Sequence, residues 1–244
     1  MPDRYFVEEP IERGRAVLTG PEAHHLAHVM RARPGQEVLL FDGHGLELVA
    51  RVQRIGRSDV ELVVMSSMQV DRELPVRITL GVAMPKGDRQ RWIVEKATEL
   101  GMARLVPLVT ERGVALVSAG AYERLRRSVI EASKQCGRTQ LMEISQPQTI
   151  AEFCRAQDTA GIMAHPGGQP LRDVIDKLRE EKSGQIAFAV GPEGGLTDEE
   201  VAVAASAGWT AVDLGQRILR VETAAVLLAA AGAFVAESGR STGS

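Results

Sequence analysis

Two glycine-bearing loops, each leaving a short apolar strand and each opening a helix, constrain this chain more than anything else in it. The first follows Ile186-Ala-Phe-Ala-Val190, a run that suits a buried strand. It reads Gly191-Pro-Glu-Gly-Gly195 and ends, past Leu196, on Thr197-Asp-Glu-Glu200. Thr197 sits there as an N-cap, and Glu200 can reach back to its amide, which is the capping box that starts a helix. The second loop, Gly215 to Leu219, follows a strand from Ala211 to Leu214 and leads into an apolar helix from about Val221 to Glu237. Glycine lets backbone approach a ligand closely and leaves N–H and C=O groups free to read it. Open α/β sheets bind ligands at the carboxyl ends of their strands, so this pair of loops points to a cofactor site. The structural alternative is a pair of glycine turns joining strand to helix.

The loop chemistry narrows the ligand. No lysine follows the glycines as G-x-x-x-x-G-K-[ST] requires, and G-x-G-x-x-G is not matched, so neither phosphate-binding fingerprint applies. Glu193 in mid-loop would repel a polyphosphate and suits a cation or a ribose hydroxyl. S-adenosylmethionine, with a sulfonium, an ammonium and a ribose but no phosphate, meets these constraints. His165-Pro-Gly-Gly168, behind the short run Gly161 to Ala164, offers a third loop for one wall of the same pocket.

At 244 residues, 44% hydrophobic and 25% charged, the chain is an ordinary globular sequence with room for two domains. The polar stretch Met68-Gln-Val-Asp-Arg-Glu-Leu-Pro75 divides it. Before it, Glu37 to Val52 alternates as a hairpin about Asp42-Gly43, and Val60 to Met65 adds a strand, which together read as a small β-barrel. After it, β-type runs at Arg77 to Ala83, Arg104 to Leu108, Gly161 to Ala164, Ile186 to Val190 and Ala211 to Leu214 alternate with helical ones. That alternation marks an α/β fold with a parallel sheet. The expected domains are 1–70, a β-barrel, and 74–244, an α/β domain. Nothing behind Met1-Pro-Asp-Arg resembles a secretory signal, and Cys136 and Cys154 form no disulfide framework or C-x-x-C pattern, so a reduced cytoplasm is expected. The apolar run Ala224 to Ala236 is about two-thirds of a bilayer span and reads as a buried or interface helix.

The net charge of −3 hides an uneven distribution. Residues 72–139 carry 13 Lys and Arg against 7 acidic residues, a local +6, while the flanking segments are acidic. Lys86, Arg89, Arg91, Arg124, Arg126, Arg127, Lys134 and Arg138 would bind nucleic acid if they share a face, and are solvated helix surface if they do not. His24 and His28 stand one helical turn apart without a third ligand of matching pattern, so no metal site is expected. They suit an RNA-facing patch with Arg31, or a plain helix capping the barrel. Ser118, Ser128 and Ser133 lack the surroundings of a nucleophile, and Cys136 reads as packing or loop chemistry.

Gly191-Pro-Glu-Gly-Gly-Leu196 together with Leu214-Gly-x-Arg-Ile-Leu-Arg-x-Glu-Thr-Ala224 resembles the signature of the trefoil-knot (SPOUT) methyltransferases. Within them it is similar to the branch that methylates N3 of a uridine in bacterial small-subunit (16S) ribosomal RNA. The likeness continues through His24-His-Leu-Ala-His-Val-Met-Arg31, Gly35 to Gly45, Lys86-Gly-Asp-Arg89, Lys96-Ala-Thr-Glu-Leu-Gly101, Gln135-Cys-Gly-Arg138 and Ala164-His-Pro-Gly-Gly168, nearly the whole chain in order. It implies a PUA-like RNA-binding first domain, a knotted parallel-sheet second domain, a homodimer, and ribosomal RNA as partner, free or within the small subunit. It implies S-adenosylmethionine held by Ala164, His165, Gly167, Val190, Gly191, Glu193, Gly194, Gly195, Leu214, Gly215, Ile218, Leu219, Thr223 and Ala224. RNA contacts are expected from Arg4, His25, Arg31, Lys86, Arg89, Arg126, Arg127 and Arg138.

The chemistry singles out Arg217, Arg220 and Glu222. Uridine N3 is protonated at neutral pH, so methylation there requires loss of that proton, and the charge spreads onto O2 and O4. A guanidinium over those oxygens, Arg220 first, would stabilise the anion, and Glu222 would take the proton. The structural alternatives are Glu222 as a carboxylate favoured by the first turn of a helix, and Arg220 paired with Glu193 or Glu222. Two other functions remain: ribose 2′-O methylation by a related knotted protein, and RNA binding without catalysis by a ribosome-assembly factor.

Overall fold

The computed structural model describes residues 3–113, 119–157, 159, 161–180 and 184–238; Ser118 lies outside them. Contacts divide the chain into two units, one of Met1–Glu73 with Ser133–Leu141 and the other of Leu74–Ala132 with Met142–Ser244.

The first unit is a curled five-stranded sheet. Its strands are β1 (Arg4–Phe6), β2 (Arg15–Thr19), β3 (Glu37–Phe41), β4 (Leu46–Ile55) and β5 (Asp59–Gln69), in the order β1-β3-β4-β5-β2. The β1/β3 pair is parallel and the others antiparallel. Alternation sends Leu40, Leu48, Ala50, Val52 and Leu62 inward onto Tyr5 and Leu18. Two register shifts between β4 and β5 bend the ribbon around that core. Helix α1 (Gly20–His24) continues into a widened turn, His25–Val29, closed by Met30 N–H on the His25 carbonyl at 2.9 Å. This segment covers the core with Ala23 and Leu26, so the histidine segment is the sheet's cap. The β3–β4 connection is longer than a two-residue Asp-Gly turn. Asp42 Oδ1 accepts from both His44 N (2.7 Å) and Leu46 N (3.0 Å), folding Asp42 to Gly45 into the loop.

A second domain running unbroken from 74 to 244 misses one feature. Ser133–Leu141 returns to the first unit, because its polar groups find their partners there. Arg4 donates to the carbonyls of Ser133 (3.0 Å) and Arg138 (3.2 Å), Lys134 pairs with Glu22 (3.0 Å), and Thr139 Oγ1 donates to the Val70 carbonyl (2.6 Å).

The second unit runs β6 (Arg77–Val82), α2 (Asp88–Glu99), β7 (Arg104–Val109), α3 (Ala119–Cys136, its last turn in the first unit), β8 (Glu143–Ile144), β9 (Gln148–Thr149), α4 (Ile150–Arg155), β10 (Gly161–Pro170), α5 (Leu171–Glu180), β11 (Gln185–Val190), α6 (Asp198–Ser206), β12 (Thr210–Asp213) and α7 (Val221–Ser238). All strand pairs are parallel, in the order β12-β10-β11-β6-β7-β8, with β9 also on β7. The central strands β6 and β11 are buried on both faces, which is why residues 186–190 read as an unbroken apolar run and β6 past Arg77 carries only one polar side chain, Thr79. On one face Ala187 and Ala189 meet Phe153 from α4 and Trp209 just before β12, and Trp209 Nε1 donates to the Cys154 carbonyl at 3.2 Å. On the other face Phe188 packs into the space that Gly232 leaves open in α7. By length and composition alone α7 could cross a membrane, yet half of it is buried. It lies on β6, β11 and α2, with Ala225, Leu228 and Ala229 enclosed and Leu227 and Phe234 outside.

Candidate active site

The strand order β12-β10-β11 brings three loops together at their carboxyl ends, and they enclose a cleft of about 340 Å³. That volume suits a cofactor-sized ligand. Each loop is shaped locally. At the β11 loop, Gly195 (φ +72°) closes a turn with its amide on the Pro192 carbonyl at 2.8 Å. The expected capping box then forms: Glu200 N donates to Thr197 Oγ1 (3.3 Å) and Thr197 N to Glu200 Oε2 (2.9 Å), fixing where α6 begins. The other oxygen of Glu200 accepts the Glu111 amide at 2.9 Å, and Arg112 donates to the Gly194 carbonyl at 3.0 Å. The loop after β7 thus braces the loop after β11.

Ala164, His165, Val190, Gly191, Glu193, Gly195, Leu214, Gly215, Ile218, Leu219 and Ala224 line the cleft. Three residues expected there do not. Gly167 turns its amide to Asp213, Gly194 turns its carbonyl to Arg112, and Thr223 stands exposed on α7 while Val221 and Ala224 face the cleft. The cleft also takes in Pro166, Pro192, Leu196, Asp213, Gln216, Arg217 and Val221. Asp213 is the informative addition: its oxygens accept from Gly215 N (2.7 Å) and Gly167 N (3.1 Å), and these backbone donors hold its carboxyl below the usual range. The signal was present, since a carboxylate two residues before a glycine is an Asx-turn pattern.

At the rim, Arg89 Nη1 lies 2.9 Å from Glu193 and 3.6 Å from Glu222. Arg89 therefore takes the pairing considered for Arg220, which is exposed and has no ion-pair partner among the described residues. Glu222 Oε2 is buried and accepts no hydrogen bond.

Two residues expected to touch RNA are internal instead. Arg4 is buried, bonded to Glu47 and two carbonyls, and Arg138 is buried and forked onto Glu73. Their guanidiniums are spent inside the first unit. His25 is half-buried against the Tyr5 ring, with centroids 5.8 Å apart. Arg31 and Lys86 are exposed, Arg127 is exposed with its Nε on the Glu123 carbonyl (3.3 Å), Arg126 is half-buried, and Arg89 is engaged as above. Ser128 donates to the Arg124 carbonyl, and the Ser133 side chain is buried, so neither is placed as a nucleophile.

Residues 72–233 match the RNA methyltransferase domain family, and residues 18–65 match the RNA methyltransferase PUA domain family. The ribosomal RNA small subunit methyltransferase E of Bacillus subtilis is 30% identical over 237 residues, covering 91% of this chain and 92% of the relative. This chain belongs to the ribosomal RNA small subunit methyltransferase E family. A member of that family from Neisseria gonorrhoeae, solved bound to S-adenosylmethionine, is 32% identical and superposes with a TM-score of 0.83 over 95% of this chain and 96% of the other. A methyltransferase of Legionella pneumophila, solved with the same bound cofactor, is 29% identical with a TM-score of 0.86, each chain covered to 98%. The first unit is accordingly a PUA-type domain, and the second is the RNA methyltransferase domain of this family.

Proposed function

We propose that this protein transfers a methyl group from S-adenosylmethionine to N3 of a uridine in 16S ribosomal RNA. The observation that carries this reading is the cleft at the carboxyl ends of β10, β11 and β12. Its walls fit the cofactor's chemistry. Gly195 and Gly215 both have positive φ, and neither has an atom within 4 Å of where a Cβ would stand, so backbone is open to a ligand. Apolar walls from Leu196, Leu214, Leu219 and Val221 enclose it, and Glu193 and Asp213 set carboxylates in a wall that also holds Arg217, polar groups suited to a ribose hydroxyl or an ammonium. The residues holding the cofactor would be those lining the three loops. When bound, the cofactor supplies an electrophilic methyl on a sulfonium.

The chain's own residues handle the acceptor. Arg220, exposed beside the cleft, places a guanidinium for O2 or O4 of the uridine as N3 loses its proton. Glu222, one oxygen of which lacks a hydrogen bond, receives that proton. Arg31, Lys86, Arg126, Arg127 and His25 serve RNA docking. Leu227 and Phe234 on α7 and Trp92 on α2 are large exposed apolar residues, which supports a homodimer through this helix pair. The cytoplasm, where ribosomal RNA is found, is the proposed compartment.

The test is to supply small ribosomal subunits and free 16S RNA from a strain lacking the gene, then digest and compare nucleosides with N3-, C5- and 2′-O-methyluridine standards by chromatography and mass spectrometry. N3-methyluridine is expected, and methyl on ribose would overturn the assignment. Arg220→Ala should cut turnover by about 10²–10³ with cofactor affinity retained. Raising pH should partly restore it, since hydroxide then supplies more of the N3 anion. A normal rate would remove Arg220 from the chemistry.

A further inference from the structure

Strand β10 does not run straight past its neighbour. Ala164 and Gln169 both pair with Val212, so residues 165–168 leave the ladder while β12 advances by nothing. The excursion carries His165 and Pro166 into the cleft wall. Its base is pressed against β12, where a Cβ on Gly168 would stand 2.5 Å from the Ala211 backbone. Its tip is tied across to β12, where the Gly167 amide donates to Asp213 Oδ2 at 3.1 Å. The other oxygen of the same carboxylate accepts from Gly215 at 2.7 Å. Gly167 (φ +78°) and Gly215 (φ +110°) both hold left-handed conformations that these bonds help to fix.

We propose that Asp213 is a positioning residue for the cofactor cleft, stapling the excursion of β10 at residues 165–168 to the loop after β12 through its two carboxylate oxygens. This rests on the reading of the cleft as the S-adenosylmethionine site. An Asx turn alone would explain the bond to Gly215, but not the bond reaching back 46 residues to Gly167. Both acceptors are needed at once, one per loop, and only a carboxylate gives two oxygens without a donor. Asparagine keeps one acceptor and turns an N–H toward the other amide. The cleft is thereby assembled before the ligand arrives, so the ordering cost of two loops does not fall on binding. Asp213 acts through Gly167, His165 and Gly215 and is not assigned to the reacting atoms.

The test uses the full-length protein with Asp213→Ala and Asp213→Asn. Calorimetry with S-adenosylmethionine should show affinity at least tenfold weaker for alanine and weaker by a smaller factor for asparagine. The midpoint of thermal unfolding and the affinity for 16S RNA should stay near wild type. Amide hydrogen exchange, read without cofactor, should speed up at residues 165–168 and 215–217. Unchanged cofactor affinity in both variants that still fold would overturn the proposal. So would a loss of affinity that tracks a fall in melting temperature and in RNA binding, since Asp213 would then be general scaffold. If wild type takes up no S-adenosylmethionine but exchange quickens in the variants, the staple stands and the cofactor reading falls. If wild type and variants bind alike, the staple falls and that reading stands.

Discussion

Burial pushes the Cys154 thiol up to about 12, because the thiolate would have to form among the apolar side chains of Phe153, Ile150 and Trp209 without water. Cys136, at the end of α3, is exposed. At pH 8 the folded protein should therefore release one equivalent of reporter from an aromatic disulfide reagent, and a second only in denaturant. Two fast equivalents would mean that the α4 face opens readily. The same contrast explains which arginines could not be sorted by sequence. Arg4, Arg138 and Arg127 are chemically alike, and only the fold tells that the first two are enclosed by carbonyls and carboxylates while the third faces solvent. Asp213 escaped notice, and Arg89 read as an RNA contact and not as the ion-pair partner of Glu193, for a related reason. Their partners Gly167 and Glu193 are far off in sequence and become neighbours only once the strand order is known.

Elements whose signals are local were legible. The Thr197 capping box, the helix beginning at Val221 and the five parallel strands follow from patterns within about a dozen residues. What remained hidden was set by other elements: the residues by which β10 overshoots its apolar run, and the face α7 presents. The apolar run of α7 read as a buried or interface helix, and its small residues let it lie close on its own sheet, with Gly232 against Phe188 and Ile78. Replacing that glycine sets two effects against each other. Alanine is the better helix former by about 1 kcal/mol. Its Cβ, however, would stand 2.5 Å from Phe188 Cε2 and 3.2 Å from Ile78 Cδ1, and both side chains are fully buried with nowhere to retreat. Overpacking of that kind costs about 1–3 kcal/mol. Gly232→Ala should therefore be destabilising and Gly232→Val more so, as read from the urea midpoint. A stabilised alanine variant would show that α7 can lift away from the sheet.

At the scale of the whole molecule, the chain passes between the two units at Glu73/Leu74, at Ala132/Ser133 and again at Leu141/Met142. Sequence composition marked the first crossing with a polar, proline-bearing stretch, but the other two fall inside and just after a helix, where nothing local announces them. A cut at the first crossing alone therefore damages one unit and spares the other. A fragment of residues 1–73 keeps its sheet but loses Ser133–Leu141. Arg4, buried beside Phe41, is then left with Glu47 and without the Ser133 and Arg138 carbonyls. Glu73 loses the Arg138 fork, and the Val70 carbonyl loses Thr139. Hydrogen bonds involving a charged group contribute about 1.5–3 kcal/mol each. Two or three such losses rival the whole stability of a small domain, roughly 5 kcal/mol at the low end. The fragment 1–73 should show a collapsed amide spectrum and little cooperative unfolding, and joining residues 133–141 to it by a short flexible linker should restore both. The fragment 74–244 should keep its fold, because Phe153, Trp209, Phe188 and α7, which build its core, lie outside Ser133–Leu141. In that fragment only residues 133–141 should become open to hydrogen exchange and proteolysis. A well-dispersed, cooperatively unfolding 1–73 would show that the curled sheet stands by itself and that the returning segment merely rests on it.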